Sequence, residues 1–326
     1  MKPTIFGVPV EYPDPIADSQ IGAGSRRGSG QVSSALSCDR AYTWRSIEQL
    51  SPREDKASML CGSLIHGLLA YWRAAKMPKK PAWYWKETAD EWARRVGADQ
   101  PAQVEKAQAA VAHYKARYVS DTMRPLYVEA EIGATVLDLD PQDRSPGWPH
   151  DEADSELVTA RFDFIVEQTA GPGAGQIYLG DTKSKQKTKT ARLPTWNPQE
   201  HALKFQQLEY YMIAQSYFGK QGKTVAGFLI ERIKQEEPHD VDRQLIEFSA
   251  PLLQDIGKLV RRGVEAELRI RGSGLSGDEA APTGILTGSC GSGYGFSCDY
   301  RDLCLASSLD VRQTLKTAWF DTKETA

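Results

Sequence analysis

The chain has no stretch approaching the roughly 18 to 20 uninterrupted apolar residues that a membrane-spanning helix needs, so no membrane association is expected. Its first residues, MKPTIFGVPVEYPDP, contain no signal-peptide hydrophobic region, and the expectation is a cytoplasmic protein. Cysteine is scarce, at 5 in 326 residues. In a reducing compartment these thiols are not expected to pair, which leaves packing, metal binding or catalysis as their uses. Positive charge is not in excess either: the formal net charge is -3, so any nucleic-acid contact must come from a local patch. The glycines of GAGSRRGSG do not make a phosphate loop, because no strand precedes them and no Gly-Lys-Ser/Thr follows. No internal repeat is visible.

What is present is an ordinary globular composition, 40% hydrophobic and 25% charged, which excludes wholesale disorder. The length suits two domains or one large domain with additions. Residues 1–30, rich in Pro, Gly and Ser, read as a flexible arm. Residues 31–124 read as helical, with helices across SSALSCDRAYTWRS, KASMLCGSLIHGLLAYWRAAKM, 83–97 and 102–119. The period then changes. Strands are expected at 126–139, 156–168 and 176–184, the last two joined through a GPGAG turn. A helix at 200–219, strands in TVAGFLIERIK and RQLIEFSA, and a helix at 250–270 complete a core over 125–270. Residues 271–326 form a linker and a cysteine-bearing segment.

The chemistry concentrates in YLGDTKSKQKTKTAR. Residues two apart share a face of a strand, so Asp181 and Lys183 project together. The GPGAG hairpin lays Asp163, from RFDF, beside them. Two carboxylates brought together in an apolar sheet repel, and a divalent cation is the usual remedy. Phosphodiester hydrolysis calls for such a set: carboxylates for Mg²⁺ or Mn²⁺, and a lysine for the attacking water. A strand aspartate paired with a nearby lysine is the plain structural alternative. In the helix CGSLIHGLLAYW, Gly62 and His66 share a face, and two glycines within six positions imply that something approaches the backbone closely. The imidazole is either a metal ligand or a core histidine bonded to a neighbour. In QQLEYYMIAQSYF, Gln207 and Tyr211 stand four apart on a helix, and Gln206 with Tyr210 offer the same spacing one register earlier. Lys185, Lys187 and Lys189 continue the face of Asp181 if the strand stays extended. They would form a rail for DNA phosphates, or else a solvated lysine loop.

Taken in order, GSLIH, RFDF, DTK and QLEYY resemble the RecB-like branch of the PD-(D/E)XK nuclease superfamily, with its G-x-x-x-H helix, strand aspartate, D/E-x-K strand and Q-x-x-x-Y helix. The resemblance implies an α/β fold with a restriction-endonuclease-like core. That core is a mixed central sheet flanked by helices, with an N-terminal helical insertion and a C-terminal cysteine-bearing cluster segment. It also implies a Mg²⁺- or Mn²⁺-dependent exodeoxyribonuclease acting on DNA ends or single strands in recombination, repair or CRISPR-type processing, with a helicase or integrase-type protein partner. By similarity Asp163 and Asp181 are metal ligands, joined by His66 and the backbone carbonyl of Thr182. Lys183 positions the water, and Gln207 with Tyr211 supports the site or contacts DNA. Glu131 is the candidate supporting acid. Asp181 departs from the glutamate of many relatives. Two alternatives are a catalytically weak DNA-binding or assembly subunit and a zinc-stabilised site-specific endonuclease.

The cysteines extend the resemblance. Cys290, Cys298 and Cys304 lie within 15 residues near the C-terminal end, and Cys38 lies far upstream. This one-plus-three layout is similar to that of the iron-sulfur-containing CRISPR-associated exonucleases and AddB-type nucleases, and implies a [4Fe-4S] cluster, with zinc as the competing occupant. The C-x7-C between Cys290 and Cys298 departs from the tight C-x2-C of the CRISPR-associated enzymes. Cys61, on the G-x-x-x-H helix, is assigned to packing.

Overall fold

The structure, a computed structural model, describes residues 4–5, 8–9, 26–52, 57–140, 152–185, 193, 204–283, 298–306 and 308–322. Strands β1 (Thr4–Ile5) and β2 (Val8–Pro9) pair with each other, and β3 (Leu50–Pro52) pairs with the last strand, β9 (Phe320–Thr322). Between them β4 (Met123–Thr135), β5 (Leu157–Gln168), β6 (Ile177–Lys185), β7 (Val225–Lys234) and β8 (Val241–Ile246) form a five-stranded sheet in that spatial order. Neighbours run antiparallel except β6 and β7, which are parallel. The helices are α1 (Ser29–Ser37), α2 (Asp39–Tyr42), α3 (Ala57–Ala74), α4 (Ala89–Val96), α5 (Pro101–Arg117), α6 (Val136–Leu139), α7 (Phe205–Gly219), α8 (Ala250–Ser273), α9 (Arg301–Leu305) and α10 (Leu309–Trp319). A parallel pair cannot be closed by a hairpin, and α7 lies within the required crossover between β6 and β7. The mixed sheet flanked by helices is the architecture expected from the sequence.

Each sheet face has its own core. On one face Leu64, Ile65, Leu68 and Leu69 of α3 pack with Trp92, Val104 and Val111 over Val128, Ile233 and Val241. On the other, Leu208, Met212, Ile213 and Phe218 of α7 and Val260 and Val264 of α8 cover Ile132, Val158, Leu179 and Phe228. Interior β7 is buried on both faces, so its sequence VAGFLI is an apolar run rather than an alternation. The two helix glycines are close approaches. A Cβ on Gly62 would lie 2.7 Å from the Ser184 hydroxyl of β6, and one on Gly67 would lie 1.9 Å from the Trp92 ring. Gly67→Ala is therefore expected to destabilise by about 1–3 kcal/mol through overpacking, despite alanine's better helix propensity. A melting temperature equal to or above wild type would contradict this.

Residues 26–30, expected as the end of a flexible arm, are instead stitched to the sheet. Arg27 and Thr159 exchange two hydrogen bonds of 2.9 Å, and the Arg26 N–H donates to Glu131 at 2.6 Å. The fully buried Arg27 guanidinium pairs with Glu267 of α8 at 2.6 Å and with Glu156, just before β5. Beside them Glu209 of α7 is fully buried, and neither carboxylate oxygen has a hydrogen-bond partner among the described residues. Burial first, then the charge of Glu267, pushes its carboxyl well above the ordinary range. The folded chain thus keeps a proton that the unfolded chain releases, and stability falls as pH rises above the ordinary glutamate value. Glu209→Gln removes that penalty and is expected to raise the melting temperature at neutral pH but not near pH 4. A gain that is independent of pH would contradict the buried proton.

The C-terminal end of the described chain closes on residues 44–52. The β3–β9 pair is joined by a Tyr300 hydroxyl bond to Leu50 O (2.7 Å), a Glu48–Lys316 ion pair (3.1 Å) and an apolar cluster of Trp44, Leu50, Tyr300, Leu303 and Phe320.

Candidate active site

The site forms where the β5–β6 ladder ends. Its last pair is Phe164 with Gly180, so Asp163 and Asp181 are the next residues on either strand. The Asp163 carboxylate takes the N–H of Thr182 at 2.7 Å, and His66 Nδ1 lies 3.1 Å from the same Oδ2. Across the ladder, Asp181 Oδ2 meets Lys183 Nζ at 2.7 Å. The parallel register against β7, which pairs Asp181 with Ile230 and Lys183 with Arg232, keeps acid and lysine on one face.

A break in side-chain alternation places these groups. Val128 of β4 packs on the α3 face, whereas Ile132, which an unbroken two-residue period puts on the same side, packs on the α7 face. On β5, likewise, the Phe164 ring lies beneath Arg73 of α3, while Phe162 packs on Tyr210 of α7, ring centroids 5.2 Å apart. The turnover falls at Glu129, a non-glycine residue with φ +52°, and at Asp163 opposite it. Such a backbone costs about 1–3 kcal/mol and persists where its surroundings enforce it. Here it brings the buried Glu129 to the same place as Asp163, with its carboxylate 3.3 Å from Arg161. Glu129 adds to the charge that raises His66, whereas Glu131, the expected supporting acid, is held by Arg26.

The electrostatics follow from crowding. Burial, then the neighbouring charge of Asp163, raises the Asp181 carboxyl above its ordinary value, against the pull of Lys183. Burial would raise Asp163 too, but the His66 ring, the Thr182 N–H and Lys183 outweigh it and hold that carboxyl low. Burial would lower the His66 imidazole, yet Asp163, Asp181 and Glu129 together raise it. One of the two aspartates is thus readily ionised, and the second resists until a cation arrives.

Hard divalent cations take carboxylate oxygens and keep several waters, so the Asp163–Asp181 pair fits Mg²⁺ or Mn²⁺. The crowding that raises Asp181 is the strain such a cation would relieve. His66, expected as a further ligand, meets Asp163 through Nδ1, which leaves Nε2 for an ion. Among the described residues no group of three or more His, Cys, Asp and Glu forms a ready metal set. Thr182 is buried, and its N–H serves Asp163; a role for its carbonyl depends on the ion.

Gln207 and Tyr211 do not face the site. Tyr211 is buried, packs on Phe248 and donates its hydroxyl to Val225 O at 3.0 Å; Gln207 is buried beside Leu208. Tyr210 of the other register lies nearer to it, half-buried over Phe162 and among the groups that raise Lys183, while Gln206 is exposed. The signal was in the helix itself, since Leu208, Tyr211 and Met212 form the apolar stripe and leave Tyr210 at its edge. Tyr211→Phe is expected to cost about 1–3 kcal/mol of stability, through an unpaired buried carbonyl, without changing turnover. Tyr210→Phe is expected to lower turnover with little change in melting temperature. The reverse pattern would restore the other register. Lys185 is exposed at the end of β6, while Lys187 and Lys189 lie outside the described residues.

Cys38 is buried at the start of α2, and Cys298 and Cys304 are half-buried against the cluster of Trp44, Leu50, Tyr300, Leu303 and Phe320. Cys38 and Cys61 are free thiols, and Cys290 lies outside the described residues. Cys61 is buried in the α3 core, as assigned, and burial raises its thiol.

The family model of the PD-(D/E)XK nuclease superfamily matches residues 30–305, and the chain belongs to that superfamily. Among solved structures, a candidate exonuclease from Eubacterium rectale aligns at 13% identity over 69% of this chain and 88% of its own, with a TM-score of 0.32. An overlap that loose locates no side chain. No curated protein matches the chain.

Proposed function

We propose that the chain is a divalent-cation-dependent deoxyribonuclease of the RecB-like branch that hydrolyses DNA phosphodiester bonds from ends or single strands. What supports hydrolysis is the meeting of Asp163 and Asp181 at the end of one ladder with the Lys183 ammonium 2.7 Å from Asp181. A bound Mg²⁺ or Mn²⁺ would polarise the scissile phosphate and lower the pKa of the attacking water. The chain's residues do the rest. Asp163, fixed by the Thr182 N–H and His66, and Asp181 would hold the cation, while Lys183 Nζ would orient the water and offset charge on the phosphate. Lys185, exposed two residues on, would receive the next phosphate of the strand. The preference for ends is inherited from the resemblance.

Incubating the purified chain with linear and covalently closed circular DNA, with Mg²⁺, Mn²⁺ or chelator, tests the reading. Loss of linear DNA only with metal is expected, and no cleavage with either metal would refute it. The iron-sulfur assignment is a separate part of the proposal, supported by the packing of Cys298 and Cys304 against the cluster that holds Trp44, six residues after Cys38, and by the sequence layout. An anaerobic absorbance shoulder on the order of 400 nm, lost in Cys304→Ser, is expected for a thiolate-held cluster; a colourless protein would remove it.

A further inference from the structure

Beneath the carboxylates lies a three-layer stack. Gly180 has no side chain, and the Phe164 ring of the neighbouring strand fills its place: a Cβ on Gly180 would lie 2.0 Å from two ring atoms. On the other side of that ring sits the Arg73 guanidinium, 3.9 Å from the ring centroid. Arg73 follows His66 by seven residues, two turns along α3, so one helix face carries both. The guanidinium is buried and pinned. It pairs with buried Glu231 of β7 and donates to the Tyr114 hydroxyl at 3.2 Å. Tyr114 in turn donates to Glu231 at 2.7 Å, and Arg243, itself paired with Asp121 at 2.5 Å, donates to Glu231 at 2.9 Å. Two cations meet two carboxylates, so the network is neutral. The cavity beside it, about 20 Å³, has room for one water at most, which excludes a ligand pocket.

The stack's position gives it a task. Phe164 is the residue after Asp163, and Gly180 is the residue before Asp181. Given the nuclease reading above, we propose that Arg73 is a positioning residue: by pressing Phe164 into the space over Gly180, it fixes the separation of the two carboxylates that hold the divalent cation. A planar guanidinium suits this better than an ammonium, because it lies flat on the ring while its edge bonds Glu231 and Tyr114. The Gly180 requirement is steric, since a methyl there meets the ring and not solvent.

The test is Mn²⁺ affinity, read by electron paramagnetic resonance on protein whose folding is checked by circular dichroism, beside kcat and KM for linear DNA. Gly180→Ala is expected to weaken Mn²⁺ binding roughly 10- to 100-fold, in the range for residues that orient metal ligands. Phe164→Leu combined with Gly180→Ala makes room for the methyl and is expected to recover much of that loss, which a general loss of stability would not do. Arg73→Lys keeps the charge for Glu231 but loses the flat face. It is expected to weaken Mn²⁺ binding and lower kcat while leaving KM for DNA unchanged. Should Gly180→Ala fail to fold, Phe164→Ala, which withdraws the ring, is expected to show the same weakening. Wild-type Mn²⁺ affinity in folded Arg73→Lys and Phe164→Ala would overturn the stack's role. A wild-type chain that binds no Mn²⁺ and cuts no DNA would instead overturn the nuclease reading and the proposal with it.

Discussion

Asp181→Asn is expected to lower the metal-dependent cleavage rate on the order of 10²- to 10³-fold with the fold intact, and Lys183→Ala to do the same. The two losses have different origins. Asp181 is the carboxylate that resists ionisation: burial and the charge of Asp163 push it up to about 6. Asparagine removes the repulsion, so the variant folds, but it carries no charge for the cation. Lys183 has its ammonium 2.7 Å from Asp181, so alanine leaves that acid without its counter-charge as well as removing the group that orients water. The same electrostatics set the pH profile. The cation needs Asp181 ionised, so the wild-type rate is expected to fall with about unit slope as pH drops below about 6. Proton and cation compete for the carboxylate, so raising Mg²⁺ shifts that limb to lower pH. A rate that is flat between roughly pH 5 and 8 would contradict the assignment of Asp181.

The largest effect on stability is expected at Arg27, far from the chemistry. Its guanidinium is fully buried between Glu156 and Glu267, which are themselves fully buried, with Glu209 close by. Replacing such an ion pair by well-packed apolar residues can be neutral, but removing one partner leaves charge stranded. Arg27→Met is therefore expected to cost about 3–5 kcal/mol, because two fully buried carboxylates lose their shared cation. The sign of the pH dependence follows: stranded glutamates are tolerated once protonated, so the deficit is expected to shrink as pH falls toward the ordinary glutamate range. Equal losses by denaturant melts near pH 4.5 and pH 7.5 would show that the cost lies in packing and not in charge.

The order of elements was legible because each rests on a local signal. The GPGAG turn between two alternating runs fixes a hairpin, and the hairpin alone brings Asp163 to Asp181. The glycines of α3 announced close approaches, now found at Ser184 and Trp92. What the chain hid depends on distant residues. Parity along β4 points Glu131 and Glu129 to one face, and only the turned-over backbone at Glu129 separates the one whose charge acts on His66 from the one held by Arg26. The choice between Tyr210 and Tyr211 depends on the phase of α7 against the sheet, half-visible in its apolar stripe. Arg27 sits in a Gly- and Ser-rich stretch that reads as an arm by composition. Its burial is set by Glu156 and Glu267, 129 and 240 residues away. The same holds for Arg73, whose partners Phe164 and Glu231 lie on strands 91 and 158 residues further along.

The most direct test is calorimetric titration of Mn²⁺ into wild type and into Asp163→Asn, both shown folded by their melting transitions. Asp163 is the carboxylate held ready by Thr182 and His66, so one cation site is predicted in the wild type and its loss in the variant. Equal binding by the two proteins, or none by either, would contradict a cation shared between positions 163 and 181.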